Sequence, residues 1–288
     1  WLGVGGPSAD LLHGTWRAAV RAAAVVVAYD DARFLGQALE DVLPRVEHVI
    51  VLLGTRPWHG VRRDNAAAYA RVTGILAQAE GSPHQGKISL VQGAWPSEAA
   101  QRNFGHALAA ALPPGPRGPI THALVIDTDE LYHPADLERM LAFAARNPVA
   151  PYFMAGMATY WKSVHLAVTP PERLLVLWLI DIHRCEFKTA RSAKCNVNSV
   201  EEQGMIIPRD LGICHHLSYT RTDEELANKM SSYSHADETQ AGWLERVWQQ
   251  WDATPEMENL HPTEPAAFRR AAARPLRELH PAVRRDFL

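Results

Sequence analysis

Thr121-His-Ala-Leu-Val-Ile126 runs directly into Asp127-Thr128-Asp129-Glu130, and this junction decides how the chain reads. Ala123-Leu-Val-Ile126 has the content of a buried strand. Acidic residues then stand at its carboxyl end. Two carboxylates one residue apart, Asp127 and Asp129, can reach the same ion, one directly and one through water or a diphosphate. Magnesium and manganese prefer such oxygen ligands and keep waters and substrate phosphates beside them. A bare D-x-D also arises by chance, and these acids could simply cap a helix beginning near Pro134. Position favours the first reading.

Upstream of the junction, strand-like and helix-like segments alternate. Ala22 to Ala28, His48 to Leu53 and Lys87 to Val91 are short apolar runs of strand length. Between them, Phe34 to Leu43 has helical spacing and stops at Pro44, and Asp64 to Ala79 and Ser97 to Leu112 are alanine-rich helices. Pro134 to Arg146 is a further helix, with proline in the first turn, where it is tolerated. Alternating strands and helices with continuous apolar strands predict an α/β fold, a mostly parallel sheet covered on both faces. Ligands of such sheets bind beyond the carboxyl ends of the strands. Tyr29-Asp30-Asp31, Gly54-Thr55 and Asp127-Thr128-Asp129 are therefore expected along one edge.

The composition allows this and narrows the function. The chain has 288 residues, 47% of them hydrophobic, and a formal net charge of -3, which does not imply a strongly basic surface for nucleic acid. No apolar run reaches the roughly 20 residues that span a bilayer. Cys185, Cys195 and Cys214 are an odd, sparse set, which argues against a disulfide framework and for a reducing, cytoplasmic setting.

Downstream the pattern loosens. Residues 151 to 220 read as irregular, aromatic-rich strands and loops. Thr222-Asp-Glu-Glu225 is a capping box that opens a helix to about Ala236, and Trp243 to Trp251 continues in helical spacing. Tyr152, Phe153, Tyr160, Trp161 and Trp178 suit an acceptor-binding wall or, more simply, a core between sheet and helices.

Three stretches carry a family resemblance. Val25-Val-Val-Ala-Tyr-Asp-Asp-Ala-Arg-Phe-Leu35, Gln101-Arg-Asn-Phe-Gly105 and Ala123-Leu-Val-Ile-Asp-Thr-Asp-Glu130 resemble, in order and spacing, the family 2-like glycosyltransferases. The likeness covers residues 22 to 147. It implies a Rossmann-like GT-A domain over 1–288. Residues 22–147 would bind a nucleotide-sugar, 148–240 would complete the acceptor and metal side, and 241–288 would form a helical tail. The implied activity is metal-dependent transfer of a hexose from a nucleotide-diphosphate sugar to a hydroxyl or amine of a small-molecule or glycan acceptor, with inversion. Tyr29 and Asp31 would lie near the base, and Arg102 near the phosphates or behind the metal site. Asp127 and Asp129 would bind ribose, diphosphate and the manganese or magnesium ion. Arg102 also follows Glu98 by four residues, the favourable order for a helical ion pair. The chain departs from the family after its second strand, where Gly54-Thr-Arg-Pro-Trp58 replaces an acidic pair and Trp58 offers a stacking surface.

The same comparison points to Gly212-Ile-Cys-His-His-Leu-Ser-Tyr-Thr-Arg221. Adjacent histidines on a strand face opposite sides. His216 is the expected metal ligand, with His215 as the alternative, and Arg221 the expected partner of the diphosphate, a charge match that suits a bidentate guanidinium. Lys229, on the helix that follows, could share that contact or be a plain surface charge. The acceptor also needs a general base, for which Glu202 and Asp181 are the candidates, with Glu201 beside the first. A nucleotidyltransferase on a related fold would share the paired acids, but it would carry a glycine-rich basic loop after the first strand, where Tyr29-Asp30-Asp31 stands. A catalytically silent nucleotide-sugar-binding protein on the same fold is the third possibility.

Overall fold

β1 (Ala22–Ala28) is seven apolar residues buried along its whole length. Ala22, Ala24, Val26 and Ala28 enter one core, and Ala23, Val25 and Val27 enter another. A strand of period two can be continuously apolar only when both faces are covered. The first core lies under α1 (Leu35–Val42), α2 (Ala66–Ala79) and α4 (Pro134–Arg146), and the second under α3 (Glu98–Ala111).

The computed structural model describes residues 20–60, 62–171, 175–196, 203–233, 235–275, 278, 280–281 and 284–285. β1 pairs in parallel with β2 (His48–Gly54) and β4 (His122–Asp127), and β2 pairs in parallel with β3 (Ile88–Gly93). These are the four strands expected from the sequence, and the four helices between and after them begin and end within two residues of the expected bounds. The carboxyl ends of β1, β2 and β4 share one edge, because Ala28 pairs with Leu53 and Val27 with Asp127.

The second half extends the same sheet in the other sense. β6 (Tyr152–Trp161), β7 (Ser163–Thr169) and β8 (Leu175–Asp181) continue it as β4-β8-β6-β7, each antiparallel to its neighbour. β13 (Arg270–Ala273) closes that side against β7. The C-terminal segment, expected to be helical, thus supplies a strand. Its helical pieces, Leu244–Gln249 and Trp251–Ala253, are short turns around a cluster of Trp161, Trp243, Trp248 and Trp251. Phe153, Tyr160, Trp161 and Trp178 are buried and Tyr152 partly so, the core role rather than a sugar-binding wall. The helix opened by Thr222 has both hydrogen bonds of its capping box and, as α5 (Asp223–Met230), ends six residues before Ala236.

One short pairing brings the late part of the chain to the early edge. β5 (Glu130–Leu131) pairs antiparallel with β12 (Cys214–Tyr219), setting His216 opposite Glu130, and the amide of Leu217 donates to the carbonyl of Asp129 at 2.8 Å. β12 also pairs with β6, and β11 (Met205–Ile206) with another part of β6.

β9 (Cys185–Phe187) and β10 (Ala193–Cys195) form a separate hairpin, and Cys185 and Cys195 are joined in a disulfide across it. This corrects the expectation of a chain without disulfides, and with it the step from sparse cysteines to a reducing compartment. The two cysteines lie only ten residues apart, yet the turn between them places them opposite each other. Cys214 is free and buried. Among the described residues, no helix is long and apolar enough to cross a membrane.

Candidate functional site

Gln101, Arg102 and Asn103 are consecutive on α3, and each fixes a different element. Gln101 Nε2 donates to the Leu52 carbonyl at 2.8 Å, while its Oε1 accepts from Trp58 Nε1 at 2.8 Å. Asn103 grips the backbone of Phe187 from both sides, at 2.9 and 2.7 Å. Arg102 is wholly buried and donates to Glu98 at 2.5 Å and to Asp127 Oδ1 at 2.6 Å. α3 can lie this close to the sheet because residue 105 is glycine: a Cβ there would stand 2.5 Å from Val25 and 2.8 Å from Leu52.

Beyond the strand ends opens a cavity of about 420 Å³. Tyr29, Asp30, Asp31 and Trp58 line it on the β1 and β2 side, and Asp127, Thr128, Asp129, Arg191, His216 and Lys229 line it around the end of β4. Tyr29 is held by Arg63, to whose carbonyl its hydroxyl donates at 2.9 Å and from whose amide it accepts at 2.7 Å.

Asp129 is the most heavily engaged acid. Its Oδ2 accepts from Lys229 at 2.6 Å and Arg221 at 3.1 Å, and His216 Nε2 lies 3.9 Å from its Oδ1. Burial alone would raise its pKa, but Lys229, His216 and Arg221 hold it well below the usual carboxylate range. Asp127 is likewise held low, burial being outweighed by Arg102 and Arg191. Arg221 ties Asp129 to Asp31 through a second ion pair. Next to these, Glu130 is buried and pushed up to about 7 by burial and the charge of Asp127, with Arg191 at 3.0 Å opposing. His216 is held down to about 4 by burial, with Asp129 opposing, so it is a neutral imidazole at pH 7. Its Nδ1 meets Thr159 at 3.2 Å, leaving Nε2 toward Asp129.

Of the expected residues, Tyr29, Asp31, Asp127, Asp129 and His216 line one cavity. His215 faces the other way, stacked 6.1 Å from Tyr160 and 5.7 Å from His280. Arg102 and Arg221 do not line the cavity; they stand behind its carboxylates. Asp181 is elsewhere. β8 runs antiparallel to β4, so its last residue pairs with His122 at the start of β4, about 16 Å of strand from the acidic end. There it binds Arg184 at 2.7 Å and caps the amides of residues 183 and 184. An apolar strand followed by an acid does not reveal which way the strand runs. Glu201 and Glu202 lie outside the described residues.

The residue that sequence reading misses is Arg191. It comes from the turn of the disulfide-closed β9–β10 hairpin, donates to Glu130 Oε1 at 3.0 Å and reaches Asp127 Oδ2 at 3.5 Å. Nothing local marks it, since it sits in a five-residue turn with no motif. Lys229 looks in the sequence like any charge on a helix face, and the structure brings it onto Asp129.

Among the described residues, no group of three or more His, Cys, Asp or Glu side chains is gathered as a metal cage. What stands ready is smaller: Asp129 Oδ1, with no hydrogen-bond donor among the described residues; Asp127 Oδ2, with Arg191 at 3.5 Å; and the neutral His216 Nε2.

No family model matches the chain, and no curated protein matches it. Among solved structures it is similar to a mycobacterial protein, with 14% identity and a TM-score of 0.35 over 55% of this chain and 47% of that one. It is also similar to mannose-1-phosphate geranyltransferase from Thermus thermophilus, with 15% identity and a TM-score of 0.31 over 56% and 50%. A third is UDP-glucose pyrophosphorylase complexed with UDP-glucose, with 12% identity and a TM-score of 0.28 over 69% and 90%. The chain spans about half the length of the first two. Likenesses this distant assign no activity.

Proposed function

We propose that this protein is a metal-dependent glycosyltransferase of the GT-A type, moving a sugar from a nucleoside-diphosphate sugar to a hydroxyl or amine with inversion. One observation carries the reading. A single cavity at the carboxyl edge of the parallel strands joins the acids Asp127 and Asp129 to the cations Arg191 and Lys229 and to a neutral His216. Cations suit a diphosphate, and carboxylates with an imidazole suit the ion that accompanies it. The division of labour follows the chain: residues 22–147 take the donor and 148–240 complete the site.

At the β1 and β2 side, Tyr29 and Trp58 offer ring faces to a nucleoside, each fixed by its hydrogen bonds to Arg63 and Gln101. Asp127 and Asp129, with His216, would hold manganese or magnesium, which when bound offsets charge building on the leaving diphosphate. Arg191 and Lys229 act on the same oxygens as fixed donors, already oriented by Glu130 and Asp129 before substrate arrives.

Thermal shift with UDP, GDP, ADP and dTDP, each with manganese or magnesium, tests the reading. One nucleotide at a hundredfold excess over its Kd should add about 2.7 kcal/mol of stability. Asp129→Asn keeps the shape beside Lys229 and Arg221 and should lose the metal-dependent part of that gain together with turnover of the sugar nucleotide. Full activity of this variant would sink the mechanism. Release of pyrophosphate from nucleoside triphosphates, with sugar nucleotides left intact, would instead identify a nucleotidyltransferase. Nucleotide binding without either turnover would identify a silent binding protein.

A further inference from the structure

Of the two bases expected from the sequence, Asp181 stands away from the acidic edge and Glu202 lies outside the described residues; among the described residues seven carboxylates line the cavity: Asp30, Asp31, Glu98, Asp127, Asp129, Glu238 and Glu264. Six of them are engaged. Asp30 accepts from Ser232, Asp31 binds Arg221, Glu98 and Asp127 bind Arg102, Asp129 binds Lys229, and Glu238 meets His235. Of these seven, Glu264 alone has neither a cation nor a hydrogen-bond donor on its carboxylate among the described residues, and its side chain is exposed.

Its position is built, not incidental. The ring of His261 accepts at Nδ1 from the amides of Thr263 at 3.2 Å and of Glu264 at 3.0 Å, which rigidifies the turn and places the ring proton on Nε2. The same ring packs edge-on against Phe268 at 4.4 Å, and Phe268 packs against Tyr219 at 5.4 Å. Tyr219 follows Ser218, whose hydroxyl accepts from the Lys229 ammonium that binds Asp129. The turn is also tied to the main sheet, since Leu260 and Phe268 are hydrogen-bonded to each other and β13 follows directly. A free carboxylate on a rigid turn thus lines the cavity, contributed by a part of the chain remote in sequence from the donor-binding acids.

Resting on the transferase reading above, we propose that Glu264 is the general base and that the turn Pro262–Glu264 forms the acceptor subsite. In the transfer, the acceptor oxygen or nitrogen forms a bond to the anomeric carbon. The bond from that carbon to the diphosphate oxygen breaks, and its electron pair leaves with the nucleoside diphosphate. The acceptor proton passes to a Glu264 carboxylate oxygen. With no cation or hydrogen-bond donor holding its carboxylate, Glu264 is free to take that proton. A base paired to arginine or lysine, as Asp127 and Asp129 are, would hold the proton poorly.

The test uses the full chain and Glu264→Gln, with UDP-glucose, UDP-N-acetylglucosamine, GDP-mannose, dTDP-glucose and ADP-glucose as donors and water or azide as acceptor. Azide attacks without losing a proton and needs no base. Expected are a loss of about 100-fold in nucleotide release with water, a Kd for the matching nucleoside diphosphate within about twofold of wild type, and recovery of release on adding azide. Unchanged release with water overturns the assignment, and so does a loss that azide does not repair. If the wild-type chain binds none of the nucleoside diphosphates, the donor reading has failed and the base falls with it. If wild type binds and turns over a donor while Glu264→Gln equals it, only the base is wrong.

Discussion

Arg102 shows how two readings of one residue can meet in one geometry. Its spacing from Glu98 announces a helical ion pair, and its place in Gln101-Arg102-Asn103 announces the donor site. The structure joins the two: Arg102 pairs with Glu98 and carries the pair onto Asp127, without reaching the cavity. Its task is to keep Asp127 ionised and aimed. Arg221 does the same for Asp129 and Asp31. Arg191, by contrast, lines the cavity and reaches Asp127 and Glu130, and a prediction follows for it. Arg191→Ala should raise the Kd for the bound nucleoside diphosphate about tenfold, or ~1.4 kcal/mol, by isothermal titration. The fold should survive, because Glu130 can shed its charge by taking a proton, its pKa already lying at about 7. An unchanged Kd would remove Arg191 from the donor site. The acids were legible because Asp127 and Asp129 are adjacent to a strong strand pattern. Arg191 was not, because only tertiary contact distinguishes it from a solvated charge, and for Lys229 the sequence left a phosphate contact and a plain surface charge both open. Strand alternation set His215 and His216 on opposite faces, and only the family comparison favoured His216.

At the scale of elements, the parallel strands and their helices were readable because each carries its own period, and β1 is the clearest case. The antiparallel strands were not, since β6 to β8 are apolar runs whose direction is set by what they pair with, and this misplaced Asp181. The hairpin β9–β10 is the element with the sharpest test. Its disulfide closes one end, Asn103 pins Phe187 beside it, and Arg191 emerges from the turn. Thiol titration in denaturant should find one reactive cysteine per chain, Cys214, before reduction and all three after it. Three thiols without reductant would dissolve the bridge. Reduction of the folded protein should also weaken nucleotide binding in the direction of Arg191→Ala, because a hairpin freed at its base holds its turn less firmly.

For the whole molecule, acid should act through histidines as well as carboxylates. His106, His122 and His261 are each held down to about 4, burial being the main cause. Unfolded, they take protons near pH 6.5. Above that value they are neutral in both states and their share of stability is intact. As pH falls from 6.5 toward 4 the unfolded chain binds more protons than the folded one, and stability drops. The melting temperature should therefore decline over this window, and a flat profile between pH 7 and 4 would contradict the burial of these rings. The pairing of β5 with β12 has a consequence for how the molecule comes into being. Glu130 meets His216 across 86 positions of chain, and Lys229 meets Asp129 across 100. Contacts of such separation form late, since the loops they close must first be ordered. During synthesis Asp129 therefore emerges well before Arg221 and Lys229, the cations that neutralise it, whereas Asp127 follows its partner Arg102 in the chain. The cavity is complete only once β12 and α5 have come back to the early edge, so a ligand that fits it recognises only chains folded at least that far.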